Sequence, residues 1–523
     1  MLYIGSQGAS RLLGALIFGV IALQFGAAAN AKSLRTNILA DPAMVDPITY
    51  SELISGDIIG NVYEAFTAID KDGNVVPALA TKWEAREDNL VWRVSLREGV
   101  KFHSGREFSA KDVKYTFEQL LLPGNKGGLN ARYLKGIVGA QEIKDGKATA
   151  LSGVSIVDDH TVDIKFTSPD VLFPIYPIYL MDSGAVAESG ADWHTKVSAG
   201  TGPYQFEAWN RGQNVSLTAH KGYWGGAPKI DGVNFLVVPS DDTAISMYEA
   251  GELDLIYVSS VVEGRRILKD QRFEKDLIRV PAAQIQYLGL NRTQYEPFKD
   301  IRVREAVCIT IERDAMVSGL FGGAAFPLYG QVTNGVAGYN SNLKPIPFDP
   351  DRAKKLLADA GFPGGKGMPP VKVTTTPPRK NEATYYANQL KTVLGMPVEV
   401  EIVERGTHIK KMNAGEVPFF PWGWTAGYPD GMYFLSQVWY GPSKYNRSRW
   451  QNADFDALID KAKGVPDNAE RYKLYNQAEQ VLLDDWGTCP TTVRMQIAAA
   501  KQNVSGVHLT PFRFIAFQDV DIK

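Results

Sequence analysis

The sequence PALATKWEAREDNLVWRVSLREGVKFHSGREFSAKDVKYTFEQL, residues 77–120, carries the signals of a chain reversal followed by a helix. Within it, Gly99 and Gly105 bracket a hairpin-like turn in LREGVKFHSG, where glycine tolerates the backbone angles that a reversal requires. Ser109 and Asp112 then stand at the spacing of a capping box, which predicts that a helix begins just after Ser109. This stretch therefore predicts extended chain and helix in close succession.

The chain on both sides of this stretch continues to alternate strand-like and helix-like segments, without internal repeats. The strand-like segments are short, β-branched or aromatic and roughly alternating, and they are residues 160–167, 213–220, 233–239, 285–291 and 398–404. Two further segments have the spacing or composition of helices, residues 349–361, which stop at Gly361, and residues 468–485. The pattern predicts a mixed α/β fold.

The length and charge of the chain restrict its class. The chain has 523 residues, of which 45% are hydrophobic and 22% charged, a composition typical of a soluble globular protein. A chain of this length is too long for one core, so several domains are expected. The 56 Lys and Arg residues nearly balance the 58 Asp and Glu residues, and no basic block is present. Nucleic acid is therefore not expected as a partner.

The first 31 residues have the pattern of a secretory signal peptide. Arg11 precedes an apolar stretch, residues 12–25, and the segment ends in Ala29-Asn30-Ala31, an A-x-A cleavage site. The apolar stretch is too short for a comfortable membrane span. We expect cleavage near Ala31, a soluble mature protein beginning near Lys32, and a periplasmic location.

The two cysteines, Cys308 and Cys489, leave two alternatives open. A disulfide could persist in the periplasm. Two buried free thiols are equally compatible with the sequence, because the distance between the residues is unknown.

The sequence offers little that indicates catalysis or metal binding. No two of the six histidines have the i,i+3 or i,i+4 spacing that places two metal ligands on one helix face. We find no G-x-S-x-G, P-loop or G-x-G-x-x-G motif. Carboxylate pairs such as Asp158-Asp159 fall in turn-like positions where solvated surface is the ordinary explanation. No enzyme activity, no metal site and no cofactor are predicted; aromatic residues with a few polar groups favour a binding cleft instead.

Several blocks of the sequence resemble one family along almost the whole mature chain. The family is family 5 of the substrate-binding proteins of ABC importers, which includes dipeptide, oligopeptide and nickel binders. Besides residues 77–120, the blocks that carry the resemblance, in the order of the family, are DPAMVDPITYSE, NVYEAF, GTGPYQFEAWNRGQNVSLTAHKGYWGGAPKIDGVNF, MYEAGELDLI, LGLNRTQYEPFKDIRVREAVCITIERDAMV and FDPDRAKKLLADAGFP.

This resemblance implies a two-lobed α/β periplasmic binding protein fold, with a hinge between the lobes and a subdomain inserted in the first lobe. The implied boundaries are a main lobe of residues 32–65, 200–281 and 506–523, an inserted subdomain of residues 66–199, and a second lobe of residues 282–505.

The resemblance also places the aromatic segment FFPWGWTAGYPDGMYFL, residues 419–435, at the cleft. The family pattern there is G-W-x-A-D-Y-x-(D/E)-P, in which the Asp after Ala receives the ammonium of a peptide ligand. A buried ammonium without an opposite charge is costly. Here the position is Gly427, so the counter-charge is missing. Arg405 stands where the best-known oligopeptide binder has tryptophan, and it is either a contact for a ligand anion or a surface cation.

The remaining candidate ligand contacts come from both lobes. Trp424, Thr425 and Tyr428 are expected to line the cleft, with Phe419, Phe420 and Phe434 in the core. Asp430 either binds a hydroxyl or cation of the ligand or caps a turn. On the first lobe the candidates are Glu52, Asn130 and Ser259.

The function implied by the resemblance is that of a monomeric receptor that binds a small solute between the lobes and delivers it to a membrane-embedded ABC permease. The solute class stays open between peptides and other solutes such as opines or sugar phosphates. One alternative is a nickel-type receptor for a metal complex, with His408 near the cleft. The other is a secreted hydrolase that uses a carboxylate pair.

Overall fold

The computed structural model describes residues 32–50, 52–71, 73–125, 129–190, 193–513 and 515–523. The predicted signal peptide lies outside these residues. The structure is a two-lobed α/β protein, as expected, and it contains three main sheets.

The largest sheet has eight strands and mixes parallel and antiparallel pairs. Its first strand, Ser33–Ile38, runs parallel to both of its neighbours. In spatial order the strands are Leu277–Pro281, Thr492–Ala500, Leu255–Val258, Ser33–Ile38, Gly232–Val237, Asn214–Ala219 and Tyr204–Asn210, with Ala325–Pro327 paired to Thr492–Ala500.

The second sheet has five strands, in the order Val398–Ile402, Val371–Thr375, Phe419–Thr425, Gln284–Leu290 and Cys489–Pro490. We call Phe419–Thr425 the cleft strand. It pairs in parallel with Val371–Thr375 and antiparallel with Gln284–Leu290. Phe419 and Phe420 are fully buried, on opposite faces of this strand, as is Phe434 farther along the chain. The prediction that these three phenylalanines belong to the core is confirmed.

A third, four-stranded sheet lies within the predicted inserted subdomain. Its strands are Ala80–Arg86, Val91–Leu96, Thr161–Lys165 and Val154–Asp158. Two small hairpin-like pairs complete the strands, Thr67–Ile69 with Val75–Pro77 and Val504–Ser505 with Asp521–Ile522.

The stretch at residues 77–120 contains the predicted reversal and helix. Gly99 and Gly105 both have positive φ, 72° and 88°. Lys101 pairs with Glu107 in an antiparallel bridge, so the reversal turns at Gly105, and Gly99 lies just before it. Ser109 and Asp112 form the predicted capping box at the start of helix Ala110–Leu121. Local hydrogen bonding by these side chains is enough to set this boundary.

The other predicted helices are also present, as Pro350–Asp359 and Asn468–Asp484. Among the described residues, no helix combines the length and the apolar character that crossing a membrane requires. The remaining α-helices are Leu53–Val62, Ala140–Lys144, Ser183–Ser189, Asp241–Glu249, Val261–Lys269, Ile301–Ile309, Arg313–Ala315, Lys380–Leu394, Arg405–Ala414, Met432–Phe434 and Ala453–Lys463.

Strand pairing can be compared with the lobe boundaries that the resemblance implies. Strands Leu277–Pro281 and Gln284–Leu290 belong to different sheets and are separated by two residues, close to the predicted boundary at 281/282. The predicted boundary at 505/506 does not follow the sheets, because strand Thr492–Ala500 pairs with Leu255–Val258 and Leu277–Pro281 of the large sheet. Strand pairing therefore favours a return to the main lobe near residue 491.

Cys308 and Cys489 form a disulfide with a Cα–Cα distance of 5.2 Å. The bond joins helix Ile301–Ile309 to the edge strand Cys489–Pro490, and both residues are fully buried. Of the two alternatives that the sequence left open, the structure has the bridge.

Glu479 gives a pH-dependent contribution to stability. Its side chain is fully buried, and its carboxylate accepts hydrogen bonds from the backbone N–H groups of Gln331 and Val332. Burial raises the pKa of Glu479 from 4.5 to about 7, against the opposing effect of these hydrogen bonds. The folded state therefore binds a proton more tightly than the unfolded state between these two pH values.

We expect the free energy of unfolding of the wild type to fall relative to Glu479→Gln as pH rises from about 5 to about 8. The sign follows because stability decreases with pH wherever the folded state binds more protons. The expected difference is on the order of 2 to 3 kcal/mol. Urea titrations of both proteins across this range measure it, and parallel pH profiles would contradict the assignment.

Candidate functional site

The candidate site lies at one edge of the five-stranded sheet. Strands Val371–Thr375, Val398–Ile402 and the cleft strand are parallel, so their carboxyl ends meet at this edge, where ligands of open α/β sheets bind. Arg379 follows the first of these strands and Arg405 the second. Gly427 follows the cleft strand.

Trp422 on the cleft strand is surrounded by arginines. The guanidinium carbon of Arg447 lies 4.9 Å from the ring centroid of Trp422, and those of Arg379 and Arg405 both lie at 5.8 Å. Such distances permit cation–π attraction. Trp422 is almost fully buried, whereas Arg405 is exposed. The Trp422 ring therefore forms the bottom of the site, which we call the floor, and the arginines lie around its edge.

Trp424, two residues along the same face of the cleft strand, extends this floor. Its ring lies 4.9 Å from that of Tyr445 and 5.6 Å from the guanidinium carbon of Arg447. The indole Nε1 of Trp424 is buried and has no hydrogen-bond partner among the described residues. Thr425, the last residue of the cleft strand, is exposed.

Arg447 is 5% exposed. Its Nε donates to Oδ1 of Asn413 at 3.0 Å, whereas its Nη1 is buried without a partner in the part of the chain that the structure describes. Burial lowers the pKa of Arg447 from its ordinary value, and the charge of Arg405 acts in the same direction. Arg447 is thus a buried cation with a free donor.

Arg379, by contrast, has its charge compensated within the protein. Its Nη1 donates to Oε1 of Gln286 at 2.5 Å and to Oε2 of Glu382 at 3.0 Å. Glu382 also accepts from Nη2 of Arg494 at 3.0 Å. Two guanidinium groups share this one carboxylate.

His408 lies behind the floor rather than on its surface. It is fully buried, with its ring centroid 5.6 Å from that of Trp422. Burial lowers its pKa to about 4, and Arg447 and Arg379 contribute in the same direction. The imidazole is therefore neutral at physiological pH. No cluster of three or more metal-ligating side chains occurs among the described residues.

Gly427 faces residues 132 and 133, which the resemblance assigns to the subdomain inserted in the first lobe. The hydroxyl of Tyr133 donates to the backbone oxygen of Gly427 at 3.3 Å and accepts from Nη2 of Arg132 at 2.7 Å. A Cβ atom at position 427 would lie 2.9 Å from Nη2 of Arg132 and 3.0 Å from the Tyr133 hydroxyl. The position where the resembled family has an acid therefore faces a cation from the other lobe.

Tyr428 packs in an aromatic cluster that spans the two lobes. Its ring centroid lies 5.0 Å from that of Tyr176 and 6.1 Å from that of Tyr133, both on the first lobe, and 4.9 Å from that of Tyr433. Tyr428 is buried, and burial raises its pKa well above the ordinary value, so the hydroxyl stays protonated. This cluster connects the lobes next to the cleft.

Glu52 and Asp430, two candidate ligand contacts from the sequence, both bind groups of the protein itself. The carboxylate oxygens of Glu52 accept from the backbone N–H groups of Ile54 at 2.6 Å and Ser55 at 2.8 Å, so Glu52 is the N-cap of helix Leu53–Val62. Asp430 is 1% exposed, lies 3.5 Å from Nη2 of Arg471, and accepts from the N–H of Met432. These contacts of Asp430 agree with the turn-capping role, one of the two roles that the sequence left open.

Asn130 and Ser259 are both on the first lobe. Asn130 is buried, and its Nδ2 lies 3.4 Å from the hydroxyl of Tyr50. Ser259 is exposed just after strand Leu255–Val258, and its hydroxyl donates to Oδ2 of Asp241 at 3.2 Å. These contacts leave both residues as candidates.

The sequence reasoning did not single out Arg132, Arg379 or Arg447. Arg132 stands two residues after the candidate Asn130. A positive charge so close to a candidate contact could have drawn attention to Arg132. Arg447 stands in YNRSRW, where no local pattern distinguishes it from Arg449. Its position over Trp422 depends on contacts between segments distant in sequence.

Comparisons with known proteins agree with this architecture. The family described as "Bacterial extracellular solute-binding proteins, family 5 Middle" matches residues 74–446. The glutathione-binding protein GsiB of Escherichia coli (strain K12) is 27% identical over 521 residues, which cover 96% of this chain and 97% of that protein. Heme-binding protein A of Haemophilus influenzae is 27% identical over 472 residues, covering 86% of this chain and 84% of that protein.

Among solved structures, the periplasmic murein tripeptide-binding protein MppA in an unliganded open form superimposes with a TM-score of 0.84 at 26% identity. The match covers 94% of this chain and 98% of the MppA chain. The family match extends over more than half of the chain and includes the cleft strand, and the relatives are solute-binding proteins rather than enzymes. This chain belongs to family 5 of the bacterial extracellular solute-binding proteins.

Proposed function

We propose that this protein is a periplasmic receptor that binds a small peptide-like solute in the cleft and delivers it to an ABC permease. The observation that carries the proposal is the set of arginine and aromatic side chains at the carboxyl edge of the five-stranded sheet, facing Arg132 and Tyr133 of the first lobe. Binding between two lobes, rather than on one surface, is the expected arrangement for hinge closure.

The relatives support a peptide-like solute in particular. The names of two of them specify glutathione and murein tripeptide, both peptides, and a third specifies heme. None of these names specifies an opine or a sugar phosphate, so that part of the expectation has no support. The nickel-type alternative is weakened because His408 is enclosed behind Trp422.

We expect the mature chain, residues 32–523, to bind its solute with a rise in melting temperature and a fall in radius of gyration. A ligand that binds only the folded state stabilises it by mass action, and closure of the lobes makes the molecule more compact. Calorimetry of the protein as purified, mass spectrometry of solutes released on denaturation, and small-angle scattering with and without added peptides measure these effects.

The peptides for this test are glutathione, murein tripeptide and di- and trialanine, with hemin as a non-peptide comparison. Binding without any decrease in the radius of gyration would contradict closure around the solute. Binding of hemin alone would contradict a peptide-like solute. A protein from which no solute is released, and which binds none of these compounds, would contradict the receptor function itself.

A further inference from the structure

The charges of the cleft are unbalanced. Within the described ranges, Arg132, Arg405 and Arg447 have no carboxylate within ion-pair distance. The nearest acid in sequence to Arg405 is Glu404, whose Oε2 accepts from the backbone N–H of Thr407 at the start of helix Arg405–Ala414. Of the three, Arg447 is buried, whereas Arg132 and Arg405 are exposed. Arginine is seldom buried without an opposite charge, so at Arg447 the cleft has a charge requirement that the described residues do not meet.

Buried donors near Trp422 are also unsatisfied. Nη1 of Arg447, Nε1 of Trp424 and Nε2 of Gln286 are each buried without a partner in the structure as described. Arg447 is 5% exposed and Gln286 1%. Gln286 pairs with Gly423 and so lies on the other face of the sheet, whereas Arg447 and Trp424 lie on one face, with the guanidinium carbon 5.6 Å from the Trp424 ring. The group that complements these two neighbouring donors is an oxygen-rich anion such as a carboxylate.

A second cationic position lies on the other lobe, at Gly427. The guanidinium of Arg132 is hydrogen-bonded to the Tyr133 hydroxyl but to no acid among the described residues. Because residue 427 has no side chain, Nη2 of Arg132 comes within 2.9 Å of the point where a Cβ atom would stand. The guanidinium therefore fills the space beside Gly427 and is the charged group that a solute meets there. The resembled family places a carboxylate here to receive an ammonium, so the local charge preference of this cleft is reversed.

The two positions belong to different parts of the cleft. Arg447 lies against Trp422 and Trp424, at 4.9 Å and 5.6 Å from the ring centroids, whereas Arg132 lies beside Gly427, beyond the end of the cleft strand. A solute that reaches both positions and complements both charges carries an anionic group at each.

We infer that the cleft selects a peptide-like solute with two carboxylates, one bound by Arg447 and Arg405 over Trp422 and the other by Arg132 beside Gly427. This inference rests on the proposed receptor function and specifies its substrate class. Arg447 and Arg132 are specificity-determining residues that contact the solute from opposite lobes.

The test compares matched probes by titration calorimetry on the mature chain. The dicarboxylate probes are reduced glutathione and γ-Glu-Ala, and the neutralised probes are glutathione diethyl ester and trialanine amide. We expect the dicarboxylates to bind at least about 100-fold more tightly than the neutralised probes, because each lost carboxylate leaves an arginine unpaired.

Variants locate the two anion positions. Arg447→Gln and Arg132→Gln are each expected to weaken dicarboxylate binding about 10- to 100-fold, with little effect on the neutralised probes. Arg447→Lys, which keeps the charge but not the guanidinium fork, is expected to retain part of the affinity. Arg302→Gln is the matched control, since Arg302 is paired with Asp300 at 2.6 Å on the distant helix Ile301–Ile309.

The outcomes separate this inference from the receptor function. Equal affinity for diester and dicarboxylate probes, or unchanged affinity in both arginine variants, would overturn the dianionic solute while leaving a peptide receptor. Failure of all probes, together with release of an identifiable neutral solute from the purified protein, would also overturn it. Failure of all probes without any released solute would remove the receptor function as well. Circular dichroism of each variant confirms that the comparison is between folded proteins.

Discussion

Replacing Cys308 and Cys489 with alanine is expected to lower the free energy of unfolding of the second lobe by about 3 to 5 kcal/mol. The disulfide closes a loop of 181 residues, and a crosslink over so long a loop removes much conformational freedom from the unfolded chain. The bond also joins helix Ile301–Ile309 to the edge strand Cys489–Pro490 inside the core of that lobe. Urea unfolding followed by circular dichroism measures the loss.

Two controls separate the crosslink from side-chain packing. Each single variant, Cys308→Ala and Cys489→Ala, also breaks the bond, so both are expected to lose about as much stability as the double variant. Reduced wild type retains both sulfur atoms and is expected to show most of the same loss. A wild type whose stability is unchanged by reductant would contradict a stabilising role for the bond.

Gly427→Asp is expected to weaken the binding of a dicarboxylate solute by several hundred-fold. The new carboxylate would lie beside Nη2 of Arg132, since a Cβ there is only 2.9 Å from that atom. It would pair with Arg132 in place of the solute and would repel the carboxylate of the solute. Like charges 4 Å apart near a protein surface repel by about 4 kcal/mol, which is large enough to account for the loss.

Gly427→Asn is the matched control for this substitution, because asparagine has nearly the same shape as aspartate and no charge. Titration calorimetry with reduced glutathione, a dicarboxylate, and with trialanine compares the variants. We expect Asn to cost much less affinity than Asp for the dicarboxylate, and Asp to improve the binding of trialanine through its ammonium. Equal losses for Asn and Asp would show that space, not charge, limits position 427.

Local sequence patterns determined most of the secondary structure. The capping box of Ser109 and Asp112 acts between residues three positions apart, and the glycine signal stands just after helix Pro350–Asp359. A short segment therefore contains the interactions that set these helix ends. The strand at residues 284–290 was likewise predicted to within one residue, because its β-branched and aromatic residues favour extended chain in many contexts.

The resemblance to family 5 placed the cleft strand, and it drew attention to Gly427 as a missing acid. It made Glu52 and Asp430 candidate ligand contacts, with turn capping as the alternative for Asp430, without information on their surroundings. In the structure, their carboxylates are satisfied by a helix N-terminus and by Arg471 with the N–H of Met432. Asp and Glu serve caps, turns and ligands with the same oxygen atoms, so the residue type alone does not separate these roles.

Sequence by itself determined the α/β class, the family and the positions of the main helices and strands, because these depend on local spacing and on blocks of residues that stand together. Only the tertiary structure decided the disulfide and the charge of the cleft. Cys308 and Cys489 are 181 residues apart, and the contact between Tyr133 and Gly427 spans 294 positions. Electrostatic and hydrogen-bond energies depend on distance in space, so Arg132 and Arg447 acquire their roles only when the fold brings them to the ends of the cleft strand.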